Sequence, residues 1–143
     1  MKHFTIIVLM SCLLAACTKQ NGAADTVLNE MLPADSSSSA NAKYSGSFGN
    51  GPFGTVSGKA SVYLKDGKYL LALEGVSVSN GPDLHVYLSK EMQPINFIDL
   101  GKLKSTNGNQ LYEIPGTPDF SLYTHALIHC QQYNHLFGSA MLK

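Results

Sequence analysis

The chain of 143 residues contains no arginine and no tryptophan, and lysine carries all of its positive charge. Without arginine there is no planar guanidinium fork to grip phosphate or carboxylate through two parallel hydrogen bonds. The ten lysines are balanced by ten acidic residues, and no basic patch interleaves with aromatics, which excludes the electrostatic footprint of a nucleic-acid binder. Catalytic signatures are missing too. No Gly-x-Ser-x-Gly elbow marks a hydrolytic nucleophile, and no pair of carboxylates stands in a recognisable acid–base motif. Gly49-Asn50-Gly51-Pro52-Phe53-Gly54 matches a dinucleotide fingerprint by letter. Pro52 removes a backbone donor, however, and Thr55-Val56-Ser57-Gly58 does not open a helix, so the stretch reads as a glycine-rich loop. Nothing in this inventory points to a hydrolase or transferase.

Cysteine is scarce, and its placement is informative. Of three cysteines, Cys12 and Cys17 lie near the N-terminus and Cys130 stands alone in the remainder. Lys2 precedes an apolar run from Phe4 to Leu14, broken by Thr5, Ser11 and Cys12 and too short to cross a bilayer as a mature helix. The run ends in Leu14-Ala15-Ala16-Cys17, which resembles a bacterial lipobox. That resemblance implies a signal peptide over residues 1–16, removed before a Cys17 that carries lipid. Several acyl chains meet the two-signal requirement for stable membrane anchoring. Thr18, in place of an aspartate, favours the outer membrane, on its periplasmic face or at the cell surface. With Cys12 removed and Cys17 acylated, Cys130 has no intramolecular partner. An odd cysteine in an exported protein points to a reactive thiol, an intermolecular bridge, a metal ligand or deep burial.

Residues 17–42 read as a flexible tether, with Asn21-Gly22-Ala23-Ala24 and the tract Ser36-Ser37-Ser38-Ser39. About 25 such residues would have an r.m.s. reach of roughly 28 Å. Within them, Asp25 to Leu32 could form two helical turns, capped by Asp25 and stopped by Pro33.

Residues 43–143 form one domain with a β pattern throughout. Ala60, Val62 and Leu64 alternate with polar neighbours, Asp66-Gly67 supplies a two-residue hairpin turn, and the chain returns from Lys68. Asn80 to Asp83 is another turn, from which Leu84 to Leu88 leaves as a strand. Phe97 to Leu103, Gln110 to Ile114, Tyr123 to Cys130 and Leu136 to Leu142 are further short runs between Gly, Pro and Asn clusters. This spacing predicts an all-β, antiparallel sandwich or barrel of about 7–8 strands. On a strand ending at Cys130, the cysteine shares a face with Thr124, Ala126 and Ile128, whereas His125, Leu127 and His129 share the other. Cys130 thus travels with small and apolar residues, and burial as a core side chain competes with any chemical role.

Three separated segments, "GPDLHVYLS" from Gly81, "LGKLKSTNGNQLYEIP" from Leu100 and "YTHALIHCQQYNHLFGSAML" from Tyr123, resemble the DM13 domain in the right order. The resemblance extends over about residues 44–143. It implies an all-β extracytoplasmic module with a redox or electron-transfer role centred on a signature cysteine, which maps onto Cys130. With no resolving cysteine in the domain, Cys130 could cycle through sulfenic acid or a mixed disulfide with an external redox partner. Gly81-Pro82-Asp83, Gly138 and Ala140 match as scaffold positions. His129 is a departure, since many members carry tryptophan just before the cysteine.

Two cofactor readings stand beside the thiol. Cys130, His135 and Met141 with His85 upstream loosely follow a copper site, in which thiolate and imidazoles combine with a weak axial thioether. Copper loops usually hold methionine closer to histidine than this. His125 and His129 could be half of a zinc or haem site. For a thiol mechanism, His135 is the neighbour placed to tune Cys130. A non-redox, partner-binding β domain in which Cys130 only packs the core is the remaining reading.

Overall fold

The computed structural model describes residues 22–33 and 41–143. The expected signal peptide, the lipobox-like stretch and Cys17 lie outside the described residues. In chain order the strands are β1 (Leu28–Asn29), β2 (Tyr44–Asn50), β3 (Val56–Lys65), β4 (Lys68–Val78), β5 (Leu84–Ser89), β6 (Phe97–Lys102), β7 (Asn107–Ile114), β8 (His125–Cys130) and β9 (His135–Met141). They form one nine-stranded sheet, ordered β1-β7-β4-β3-β2-β9-β8-β5-β6, which curls into a half-barrel. The all-β expectation holds, with a slightly higher strand count.

The β3–β4 hairpin turns as its sequence demands. Asp66 and Gly67 both take positive φ, 50° and 76°, so the two-residue turn matches the twist of the strands it joins. Bulges between Ser57 and Lys59 on β3 and between Leu73 and Val76 on β4 bend the sheet. β2 joins the two halves of the curl by pairing with β3 through Tyr44–Ser47 and with β9 through Phe48–Asn50. Its sequence, Tyr-Ser-Gly-Ser-Phe-Gly-Asn, has little β propensity, but its glycines permit close approach: a Cβ on Gly46 would overlap the Met141 carbonyl oxygen.

The concave face collects Val62, Leu71, Leu73, Val86, Leu88, Ile128 and Cys130 into the main core. A leucine or isoleucine sealed this way contributes about 1.5–3 kcal/mol relative to exposure. Near the β3–β4 turn, Phe120 closes the core by stacking on Tyr44 and meeting Tyr69 edge-on, with ring centroids at 5.1 and 4.9 Å. The opposite end is a rim of turns. Gly51 donates to the Phe137 carbonyl at 2.7 Å, Ser79 to the Thr55 carbonyl at 2.9 Å and Gln131 to the Asp83 carbonyl at 2.9 Å.

The N-terminal segment departs from its sequence reading. Asp25 to Leu32 contains no helix; residues 22–33 instead lie along the sheet edge, where Leu28–Asn29 pair in parallel with Gly108–Asn109. Two helical turns alone cannot recover the cost of nucleation, whereas the open edge of β7 offers backbone partners. The Glu30 carboxylate fixes the docking. It accepts from Lys104 Nζ at 2.8 and 2.9 Å and from the Leu111 backbone N–H. The Ser105 hydroxyl donates to the carbonyls of Ala24 and Thr26.

Candidate functional site

Cys130 ends β8, where it faces Leu84 of β5 on one side and His135 of β9 on the other. The parity read from the sequence holds: Ala126, Ile128 and Cys130 enter the core, while Leu127 packs on the convex face with Tyr87 and Leu136. The thiol is free and 0 % exposed. Directly beyond it the chain makes the exposed turn Gln131 to Asn134.

His135 is the register partner of Cys130, but its ring is taken up by the rim. It stacks on Phe53 at 3.7 Å between centroids and 2° between planes, with Tyr133 at 5.9 Å. The other two residues of the copper set lie elsewhere. His85 pairs with His129 on the convex face, opposite the Cys130 side chain. Met141 is 50 % exposed and pairs with His125, five residues along β8 from Cys130 and therefore about 17 Å away along the strand. Cys130, His135, His85 and Met141 therefore do not converge, because strand alternation and strand length hold them apart. His125 and His129 share a face but stand four residues apart, about 13 Å on an extended strand, too far for one ion or one haem iron to bind both. Among the described residues, no three His, Cys, Asp or Glu side chains gather as metal ligands. The donor set fits neither copper nor haem.

The convex face opposite Cys130 carries a polar group that sequence reading did not assemble. His85 Nδ1 lies 3.0 and 3.1 Å from the two Asp99 oxygens, and its Nε2 lies 3.4 Å from Asp83 Oδ1. Lys102 completes the set, 3.4 Å from Asp83. The carboxylate of Asp99 favours the tautomer in which Nδ1 carries the proton and donates. Asp99 also accepts from the Gly101 N–H at 2.8 Å. Next to His85 on the same face is Tyr87, buried and stacked on Phe97 at 4.2 Å, with the rings of His129 at 5.3 Å and His85 at 6.1 Å. Burial pushes the Tyr87 phenol up, helped by the charges of Asp99 and Asp83 and opposed by the Gln131 side chain. His129 is held below the usual imidazole range, chiefly by burial; Asn134 opposes the shift, while His135 and His85 add to it. The sequence signal was available: Asp83, His85 and Tyr87 alternate along one strand, and Asp99 alternates on the next. What was missing was the β5–β6 pairing that sets Tyr87 opposite Asp99.

The end of the β5–β8–β9 ladder thus holds a sealed thiol on one face and a carboxylate–imidazole–phenol row on the other. Its chemistry is that of a small polarisable centre shielded from water, with proton-carrying groups one sheet thickness away. No curated protein and no solved structure matches the chain. A family described as electron transfer DM13 matches it over residues 47–142, a span that contains β3 to β9, Cys130 and the whole convex-face row. The chain belongs to the DM13 family of electron-transfer domains.

Proposed function

We propose that this protein is a lipid-anchored electron-transfer module of the bacterial cell envelope, held by acylated Cys17 and acting at Cys130. The outer membrane is the favoured site, on the strength of Thr18 after the anchor. The observation that carries the reading is the position of Cys130, the one cysteine of the family-matched segment, at the last residue of β8 directly before an exposed turn. Burial excludes direct attack in the closed conformation, so thiol chemistry proceeds through opening of the Gln131–Asn134 turn, a local event of low cost compared with global unfolding.

In the open form Cys130 loses its proton to water, and the thiolate attacks a disulfide R–S–S–R′ of a redox partner. A Cys130–S–S–R bond forms, and R′–S⁻ leaves carrying the electron pair of the broken bond. A second thiolate then attacks the R sulfur, returns Cys130 as thiolate and leaves R in a new disulfide. Since no second cysteine is available in the matched segment, the resolving thiol belongs to a partner.

The test follows Cys130 in the folded chain incubated with a disulfide such as oxidised glutathione. Formation of the mixed disulfide faster than global unfolding supports the proposal, and labelling only at the global unfolding rate overturns it. The packing reading keeps a specific observation in its favour, the complete burial of the sulfur among Leu84, Ile128 and their neighbours in the core. Under that reading Cys130→Ala lowers stability and leaves electron exchange with a partner unchanged.

A further inference from the structure

The docked N-terminal segment changes what the lipid anchor does. Gly22 lies against the β4–β5 turn: a Cβ there would stand 3.4 Å from Asn80 Oδ1 and 3.5 Å from the Gly81 carbonyl oxygen. From that point the segment is held by Asp25 against Asn80, by Ala24 against Lys104 and Thr106, and by Glu30 against Lys104. Cys17 stands only five residues before Gly22, and five residues span at most about 18 Å. Cys17 therefore lies within about 18 Å of the β4–β5 turn, measured along the chain from Gly22.

The β4–β5 turn belongs to the same rim as the Cys130 end. Gly81 and Gly54 both abut the ring of Phe137, and Gln131 donates to Asp83. This rim carries exposed aromatics: Phe53 is 54 % exposed, Tyr133 is 57 % exposed, and the His135 ring lies between them. Tyrosine and other amphipathic rings favour the membrane–water interface, where one edge is apolar and the other wet. Asp83 on the same rim is engaged by Lys102 and His85, which offsets its repulsion of anionic headgroups.

We infer that the Phe53–His135–Tyr133 rim is a bilayer-contact surface, and that the docked segment seats the Cys130 end of the domain on the membrane that holds the anchor. This rests on lipidation of Cys17 and is independent of the redox chemistry at Cys130. Access to the thiol then lies along the membrane surface. The exposed apolar residues Met92 and Ile95 lie in the β5–β6 connection, at the other end of β5 from the β4–β5 turn.

The absence of tryptophan permits a direct test. Tyr133→Trp and Ile95→Trp are introduced separately into the full chain, and each acylated protein is reconstituted in phosphatidylethanolamine–phosphatidylglycerol vesicles. Quenching by lipids brominated near the headgroup is then measured. Several-fold stronger quenching of Trp at position 133 than at 95, with blue-shifted emission, supports the inference. Equal quenching, the reverse order, or absence of acyl chains on Cys17 overturns it. Measuring Cys130 reactivity on the same two proteins keeps the two accounts separable: the quenching pattern survives if only the redox reading fails, and Cys130 reactivity survives if only the membrane seating fails.

Discussion

Gly108 and the Leu28 carbonyl oxygen are so close that a Cβ on Gly108 would overlap that oxygen. Gly108 also has φ of 103°, a conformation L side chains rarely adopt. The edge of β7 is thus shaped to receive the N-terminal segment. Gly108→Ala is expected to cost about 1–3 kcal/mol through strain and to release the segment. In hydrogen exchange, the amides of Glu30 and Thr106, which donate to Asn109 and Ala24, lose protection while those of β8 keep it. Unchanged protection at Glu30 would show that the segment docks without this close approach.

Gln110 is a buried hub between β7 and the loop that follows β6. Its Oε1 accepts from the N–H groups of Lys104 and Ser105 and from the Tyr112 hydroxyl, and its Nε2 donates to the Ser105 carbonyl at 2.6 Å. Gln110→Leu strands the Ser105 N–H and carbonyl, while the Lys104 N–H keeps the Tyr112 hydroxyl as acceptor, and should cost about 2–4 kcal/mol in urea denaturation. A loss below about 0.5 kcal/mol would mean that the loop finds other partners.

At Cys130, two substitutions separate volume from polarity. Cys130→Ala leaves a small cavity and should cost about 1–2 kcal/mol. Cys130→Ser keeps the volume but buries a hydroxyl in an apolar cluster, and should be the more destabilising of the two. Equal midpoints in chemical denaturation would indicate a polar partner within reach of residue 130.

His129 supplies a pH dependence. Burial lowers its folded pKa below the unfolded value of 6.5, so the unfolded chain binds the proton first as pH falls. Its contribution is therefore fully present above about 6.5 and declines as pH drops from there toward the lowered folded value. His129→Gln should flatten that part of the stability–pH curve, as measured by thermal unfolding from pH 7.5 to 5. A variant curve parallel to that of the parent would assign the dependence to other groups.

How far the sequence was legible depended on whether signals were local. The Asp66-Gly67 hairpin and the alternation through Leu84–Leu88 and His125–Cys130 depend on residues within one or two strands, and both are found in the structure. β2 was invisible because Gly46, Gly49 and its serines suppress propensity, and its role is to let neighbouring backbones approach. The segment Asp25–Leu32 read as helix because capping rules see only neighbours along the chain, whereas its partners Lys104, Ser105 and Gly108 lie some eighty residues on. The same limit applied at the site. The spacing of Cys130, His135 and Met141 suggested convergence, and only the β8–β9 register reveals that Met141 belongs to the other end of the strand.

Under the proposed function, Cys130 exchanges electrons through a locally opened hairpin end. The most direct measurement incubates the folded full chain across a range of glutathione redox ratios, traps free thiols by alkylation and reads Cys130 by mass spectrometry. A reversible mixed disulfide at Cys130, formed at a defined potential and well before the global unfolding rate, is the predicted result. A thiol that stays reduced and unalkylated until the whole domain unfolds would contradict the account and leave Cys130 as a core side chain.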